Sequence, residues 1–221
     1  MKDYWLFFYQ HWPKVGIGWG VMGLVLIGVL YPLGLISHTT AIAFAITCAY
    51  PLHQFEEYVY PGGFMKDLTR NFLGIKDLDA IMDTRAIFLV NIPLIWLVLP
   101  TMSVWTFFNP DVLSALALFS LIAGLAHVVS SIKGRRLYNP GLFISCLLNI
   151  PLGIIGLILF ENIHPMFWSM ALFWLLFVGW GIYLGARYKA TKDPHYDRQA
   201  WELGVIYIVV LLHYALLSNL S

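Results

Sequence analysis

Every lysine and arginine of this 221-residue chain falls at one of four places. Lys2 and Lys14 precede the first apolar stretch. Lys66, Arg70, Lys76 and Arg85 lie in or beside the second connection between apolar stretches. Lys133, Arg135 and Arg136 lie in the fourth connection, and Arg187, Lys189, Lys192 and Arg198 in the sixth. The first, third and fifth connections carry none. Between these basic islands run apolar stretches of roughly 20 residues, the helical length that crosses about 30 Å of hydrocarbon. Seven spans are expected, at 15–36, 40–60, 85–108, 112–132, 140–160, 165–187 and 200–217. A spanning backbone must satisfy its own hydrogen bonds, so the expected fold is all-α, a polytopic transmembrane helical bundle of about seven spans. Basic residues favour the cytoplasmic side, which places the N-terminus in the cytoplasm and the C-terminus outside. A miscounted span would scatter the basic residues over both sides.

Composition agrees. The chain is 60% hydrophobic and 11% charged, against about 45–50% and about 25% for soluble domains. A net charge of +1 offers no basic surface for nucleic acid. The expected setting is an integral, multi-pass position in a bacterial inner (plasma) membrane, with membrane lipids as partners. Residues 1–221 read as a single transmembrane helical domain, with no internal repeat. Residues 1–14, rich in aromatic side chains, read as an interfacial segment. The long connection at 62–84 carries Phe64, Leu68 and Phe72 beside Lys66 and Arg70, the pattern of an amphipathic helix lying on the inner surface. Asp83 is placed to cap the third span, and Asn139-Pro140 to start the fifth. Gly16 with Gly20, and Gly181 with Gly185, are spaced for close helix packing. Cys48 and Cys146 sit in apolar runs without metal-ligand spacing and read as small buried residues.

The chemistry concentrates in the second stretch, ITCAYPLHQFEEYVYP, residues 46–61. His53, Glu56 and Glu57 stand three and four residues apart, so they share overlapping helix faces. Each ionisable group within a span costs roughly 2.5–3.5 kcal/mol on insertion scales. The orientation of the spans sets which other polar groups share this depth. His127 approaches from the fourth span, with Asn91 and Glu202 as further candidates in the cytoplasmic half. Asn149 lies deeper, and Arg85 stands at the mouth of the third span. His213 and Glu161 fall too far towards the outer side.

Imidazole and carboxylate together suit a divalent metal: zinc first, with iron or manganese as alternatives. His53, Glu56, Glu57 and His127 are the candidate metal ligands, and Glu57 doubles as the candidate catalytic base. A metal lowers the pKa of a coordinated water towards about 7, which suits a hydrolase acting on a lipid or other small amphipathic substrate. Arg85 or Arg136 could hold an anionic headgroup, with Asn91, Asn149 and Glu202 in supporting positions. The same groups suit a two-metal oxidative site, or a proton- or ion-coupled small transporter. A non-catalytic membrane assembly subunit would use them only for hydrogen bonds between helices. Duller roles stay open: the glutamates can reach water or Arg85, His127 can bond a carbonyl, and the asparagines can link helices. Glu202 can serve as a first-turn acid. No H-E-x-x-H, G-x-S-x-G, P-loop or G-x-G-x-x-G occurs.

The segment 53-HQFEE-57 resembles the signature of the HXXEE-domain family of integral membrane proteins. The likeness extends to 85-RAIFLVNIP-93, His127 and 136-RLYNPGLFISCLLNIPLG-153, covering roughly residues 40–155. The resemblance implies a membrane protein built around a His/Glu motif. It implies no particular reaction.

Overall fold

A computed structural model describes residues 2–220, apart from the side chains of Lys2, Asp3 and Trp5. The Lys2 side chain, expected to help set topology, therefore lies outside the described side chains. The described residues form helices and connections, without a strand. Helix α1 is Lys2–Leu30 and α2 is His38–Tyr58. Helix α3, Phe64–Asp67, runs on through a wide π-turn at Leu68–Phe72. Then come α4 (Thr84–Trp105), α5 (Leu113–Lys133), α6 (Leu142–Leu159), α7 (Pro165–Thr191) and α8 (Tyr196–Ser218).

Six of these helices are long and apolar enough to cross a membrane: α1, α4, α5, α6, α7 and α8. The chain is thus an integral membrane protein by its helices. Helix α2 is long enough too, and its polar residues hold its hydropathy down. It tolerates them because it is enclosed by α1, α4, α5 and α6. His53, Gln54, Glu56 and Glu57 are all buried.

Pairwise contacts sort the connections into two ends. At one end Arg136 pairs with Asp67, Lys189 donates to the Leu73 carbonyl and Lys192 to Asp77. Gln199 donates to the carbonyl of Ile81 at 2.7 Å. The second, fourth and sixth connections therefore meet, and this is the basic end. At the other, Thr106 donates to Thr40, and Asp111 and Ser114 accept from the backbone of Asn162 and His164. The alternation of charge expected from the sequence is an alternation of ends in space.

Several local expectations gain detail. The N-terminal segment is continuous with the first span in α1, with Pro13 inside the helix. Packing explains this: Trp12 meets Tyr58 in a tilted ring contact, and Phe8 meets Phe88 and Trp96 edge-on. Helix α3 and its π-turn follow the expected amphipathic pattern in the second connection. Phe64, Leu68 and Phe72 turn inward and floor a cavity. Apolar side chains gain as much from a bundle interior as from acyl chains, so periodicity alone could not separate the two. Gly16 and Gly20 do pack against α2; a Cβ on Gly20 would lie 2.8 Å from the Cys48 carbonyl. Gly181 faces open space, and Gly185 touches only the Leu73 side chain. The other tight seam is α5 against α6, where a Cβ on Gly153 would meet the Leu121 backbone nitrogen at 2.8 Å.

Asp83 caps α4 as expected, accepting from Ala86 N–H at 2.7 Å. Wide π-turns occur at Ile92–Val98 and Ser145–Asn149. Pro93 lies in the first and Pro151 follows the second; proline removes an N–H and crowds the carbonyl four residues back, which widens the turn. The Asn149 carbonyl is met by Ser120 Oγ at 2.9 Å.

Candidate metal centre

Three side chains converge inside the bundle towards its basic end. His53 and Glu57 come from successive turns of α2, and His127 comes from α5. Glu57 Oε1 lies 3.4 Å from His53 Nε2 and 3.2 Å from His127 Nε2. One ligand atom from each residue fits within 4.8 Å of the others, the one such His/Cys/Asp/Glu group among the described residues. All three side chains are buried, at 3%, 6% and 4% exposure.

The hydrogen bonds behind His127 fix its ring. Asn139 Nδ2 donates to the His127 carbonyl at 2.8 Å and to Ser131 Oγ at 2.7 Å. Its amide oxygen therefore faces His127 Nδ1, at 2.8 Å, and can only accept. The proton sits on Nδ1, and in the neutral ring the Nε2 lone pair points at the Glu57 carboxylate. Two electron-rich atoms facing one another in a buried site require a proton or a cation between them. The ring is further held by Phe64 at 5.1 Å and by the backbone of Gly141. A Cβ at Gly141 would approach the two His127 nitrogens to 2.8 and 2.9 Å, and its φ of +100° also suits glycine.

The spacing fits a metal. Charge-assisted N–H···O bonds centre at about 2.7–2.9 Å, shorter than the two contacts here. Ligands about 2.0–2.1 Å from a tetrahedral ion stand about 3.4 Å apart. Two imidazoles, a carboxylate and an outer hydrogen bond fixing one tautomer form a donor set and support suited to zinc.

The structure separates the two glutamates. The sequence placed Glu56 among the ligands, but its carboxylate faces α6. It accepts from Phe143 N–H at 3.0 Å, Ile144 N–H at 2.8 Å and Tyr138 OH at 2.8 Å. The two N–H groups are free donors at the start of a helix, where a carboxylate is favoured. Glu56 thus caps α6 from a different helix. Asn139, expected as that cap, has its side chain committed to His127, and Gly141 precedes the helix instead.

The supporting residues scatter. Asn91 lies close by, with its Oδ1 accepting from Gln54 at 2.8 Å, and lines the same cavity. Glu202 does not join: it accepts from Trp180 at 3.0 Å and pairs with Arg187 at 2.8 Å. Asn149 is buried against Gly124, between α5 and α6. Arg85 is exposed on the first turn of α4. Arg136 pairs with Asp67, whose second oxygen is 2.9 Å from it.

These positions fall within one recognisable segment. The chain belongs to the HXXEE family. The family model matches residues 44–156, about half the chain, and describes a protein of unknown function with an HXXEE motif. In this HXXEE protein the motif's histidine and second glutamate enter the trio, and its first glutamate caps α6. The matched region includes His127, Asn139 and Glu56's partners on α6. No curated protein and no solved structure matches the chain. Sequence reasoning overlooked Asn139 as a support for the second histidine. The signal was its place in the YNPG segment, at the turn after the helix that carries His127.

A cavity of about 230 Å³ opens beside the trio. His53, Glu57 and His127 line one side, and Leu94, Phe119 and Phe177 are among its apolar walls. Val178 and Ile182 also line it, and both are about half exposed on the outside of the bundle.

Proposed function

We propose that this HXXEE protein is an intramembrane metal-dependent hydrolase acting on an amphipathic lipid. The observation that carries the reading is a buried His–Glu–His trio, with two imidazole nitrogens 3.4 and 3.2 Å from one carboxylate oxygen, opening onto an apolar cavity. His53, Glu57 and His127 would hold the ion, with zinc as the best match to the donors. When bound, the ion polarises an acyl carbonyl and lowers the pKa of water. The cavity takes the apolar part of the substrate and excludes bulk water. Hydrolysis joins the water oxygen to the acyl carbon and breaks the bond to the leaving group. One proton of the water passes to that leaving group. Glu57 is the carboxylate within reach of that proton, because Glu56 is held by α6. Val178 and Ile182 mark the side from which a lipid enters.

The test uses protein purified in detergent without chelator. Mass spectrometry of the metal content should find about one equivalent of zinc in wild type and a large loss in His127→Ala and Glu57→Gln. Hydrolysis of a lipid panel should fall with the metal and return when zinc is restored to wild type. Protein that binds no divalent metal but moves protons across proteoliposomes, with Glu57→Gln abolishing the flux, would favour a transporter.

A further inference from the structure

Helix α5 lays one continuous stripe along the cavity. Phe119, Ala123, His127 and Ser130 all line it, three or four residues apart and so on one face. Lys133 stands three residues further on the same face, in the last turn of the helix. Its Nζ lies 4.1 Å from the centre of the Phe72 ring, and Phe72 is part of the cavity floor. A cation over an aromatic face is attracted to it, which holds the amine at the floor. The next floor residue, Leu73, offers its backbone carbonyl to Lys189 Nζ at 2.7 Å. Two exposed lysines, from α5 and α7, thus meet consecutive residues of the floor.

Their charges are not neutralised from within the protein. Arg70 pairs with Asp79, Arg136 with Asp67, Arg187 with Glu202 and Lys192 with Asp77. Lys133 and Lys189 pair with no carboxylate among the described residues. Along α5 the order of chemistry is therefore cation, trio, apolar wall. Lys133 stands six residues from His127, about 9 Å of helix rise, and Phe119 eight residues the other way, about 12 Å.

The geometry points to an anionic glycerophospholipid as the substrate class. Such a lipid carries its groups in the same order: phosphate, then the acyl esters on the glycerol, then the chains. The phosphate meets Lys133, with Lys189 adding positive charge from the neighbouring floor residue. An acyl ester reaches the trio, and its chain lies against Phe119 and the other apolar walls. Lysine binds phosphate as a point charge, so a headgroup that carries its own cation gains less here. This assignment rests on the hydrolase reading for its chemistry: water adds its oxygen to the acyl carbon, the acyl C–O bond breaks, and the glycerol oxygen takes a proton. A fatty acid and a lysolipid leave. It rests on the two uncompensated lysines for its headgroup.

The experiment measures binding, with lipids that cannot turn over. Tritiated diether phosphatidylglycerol is bound to the full chain in a neutral detergent and displaced with unlabelled diether phosphatidylglycerol or diether phosphatidylcholine. Wild type is expected to prefer the anionic lipid by about tenfold, the equivalent of about 1.4 kcal/mol. Lys133→Met, similar in length and uncharged, should remove most of that preference, and Lys133→Arg should keep it. Lys76→Met removes a charge elsewhere in the second connection and should change nothing. Equal displacement of wild type by the two lipids overturns the proposal without any variant. Lys133→Met retaining the full preference overturns it too, as does an equal loss in Lys76→Met, which would make the attraction a property of the whole basic end. Metal content and hydrolysis of the diester lipids, measured on the same preparations, separate the two claims. Bound zinc and turnover without headgroup preference remove the substrate class and keep the hydrolase. Headgroup preference without metal or turnover removes the hydrolase and keeps the lipid site.

Discussion

Helix α2 has two faces that solve opposite problems. Towards α1 it presents Cys48, Pro51 and Leu52 to a row of glycines at 16, 20 and 23. That face is apolar and works by close approach, the way helices associate in lipid where no hydrophobic force draws them together. Towards α5 and α6 the same helix presents His53, Glu56 and Glu57, each buried. That face works by satisfying polar groups: Glu56 caps α6, and Glu57 faces two imidazoles. The lesson is that a polar helix can sit in a membrane bundle when its neighbours supply both a tight apolar seam and partners for its charges. The first face holds α2 in place, and the second gives it chemistry.

The largest effect should come from outside α2, in the buried ion pair at the basic end that flanks its polar face. Arg136→Met leaves Asp67, 7% exposed, without its cation. Breaking a buried pair from one side costs about 3–5 kcal/mol. The lower end applies here, because Arg136 keeps 27% of its side chain exposed. Thermal unfolding in detergent should show a clear drop. The removal of both charges, as Asp67→Leu with Arg136→Met, should recover part of it.

Next comes the apolar seam. Gly20→Leu drives a side chain against the Cys48 carbonyl and should cost about 1–3 kcal/mol. If the two faces are separable, the folded fraction keeps its full metal content. Loss of metal in well-folded Gly20→Leu protein would show that the seam also shapes the trio.

Asn139→Ala sharpens the comparison within the polar face. It frees His127 Nδ1 without touching a ligand. Outer-sphere partners of this kind are worth about 10–100-fold in metal affinity, which competition with a fluorescent chelator would read. An unchanged affinity would mean that Asn139 serves the turn alone.

The smallest effect belongs to Tyr138→Phe, below about 1 kcal/mol, because the ring is 42% exposed and solvent screens its bond to Glu56. Burial, and then the bond to Glu56, raise the Tyr138 phenol above its usual value. Its contribution is therefore whole below the ordinary tyrosine value of about 10 and is lost as pH rises through the elevated folded value. Unfolding curves of wild type and Tyr138→Phe should converge in strong alkali and differ most near neutrality.

Much of the fold was written in the charge pattern. The basic connections could only gather at one end, and the apolar stretches could only be helices. The depth argument was enough to bring His53 and His127 together. What stayed hidden depended on rotation about α2. Glu56 and Glu57 are neighbours, one helical step of about 100° apart, so they face different partners. Spacing put both near the site and could not say which faced His127. Asn139 was hidden for a similar reason: as the residue before a proline it looked like a helix cap, and only the three-dimensional turn shows its side chain reaching back to α5.

X-ray absorption at the zinc edge, on protein purified without chelator, tests the central claim most directly. The expected spectrum shows zinc with two imidazole nitrogens and oxygen ligands at about 2.0–2.2 Å, and the imidazole scattering falls by half in His127→Ala that retains zinc. Zinc absent from the wild-type protein, or bound with no imidazole scattering, would contradict a metal held between α2 and α5.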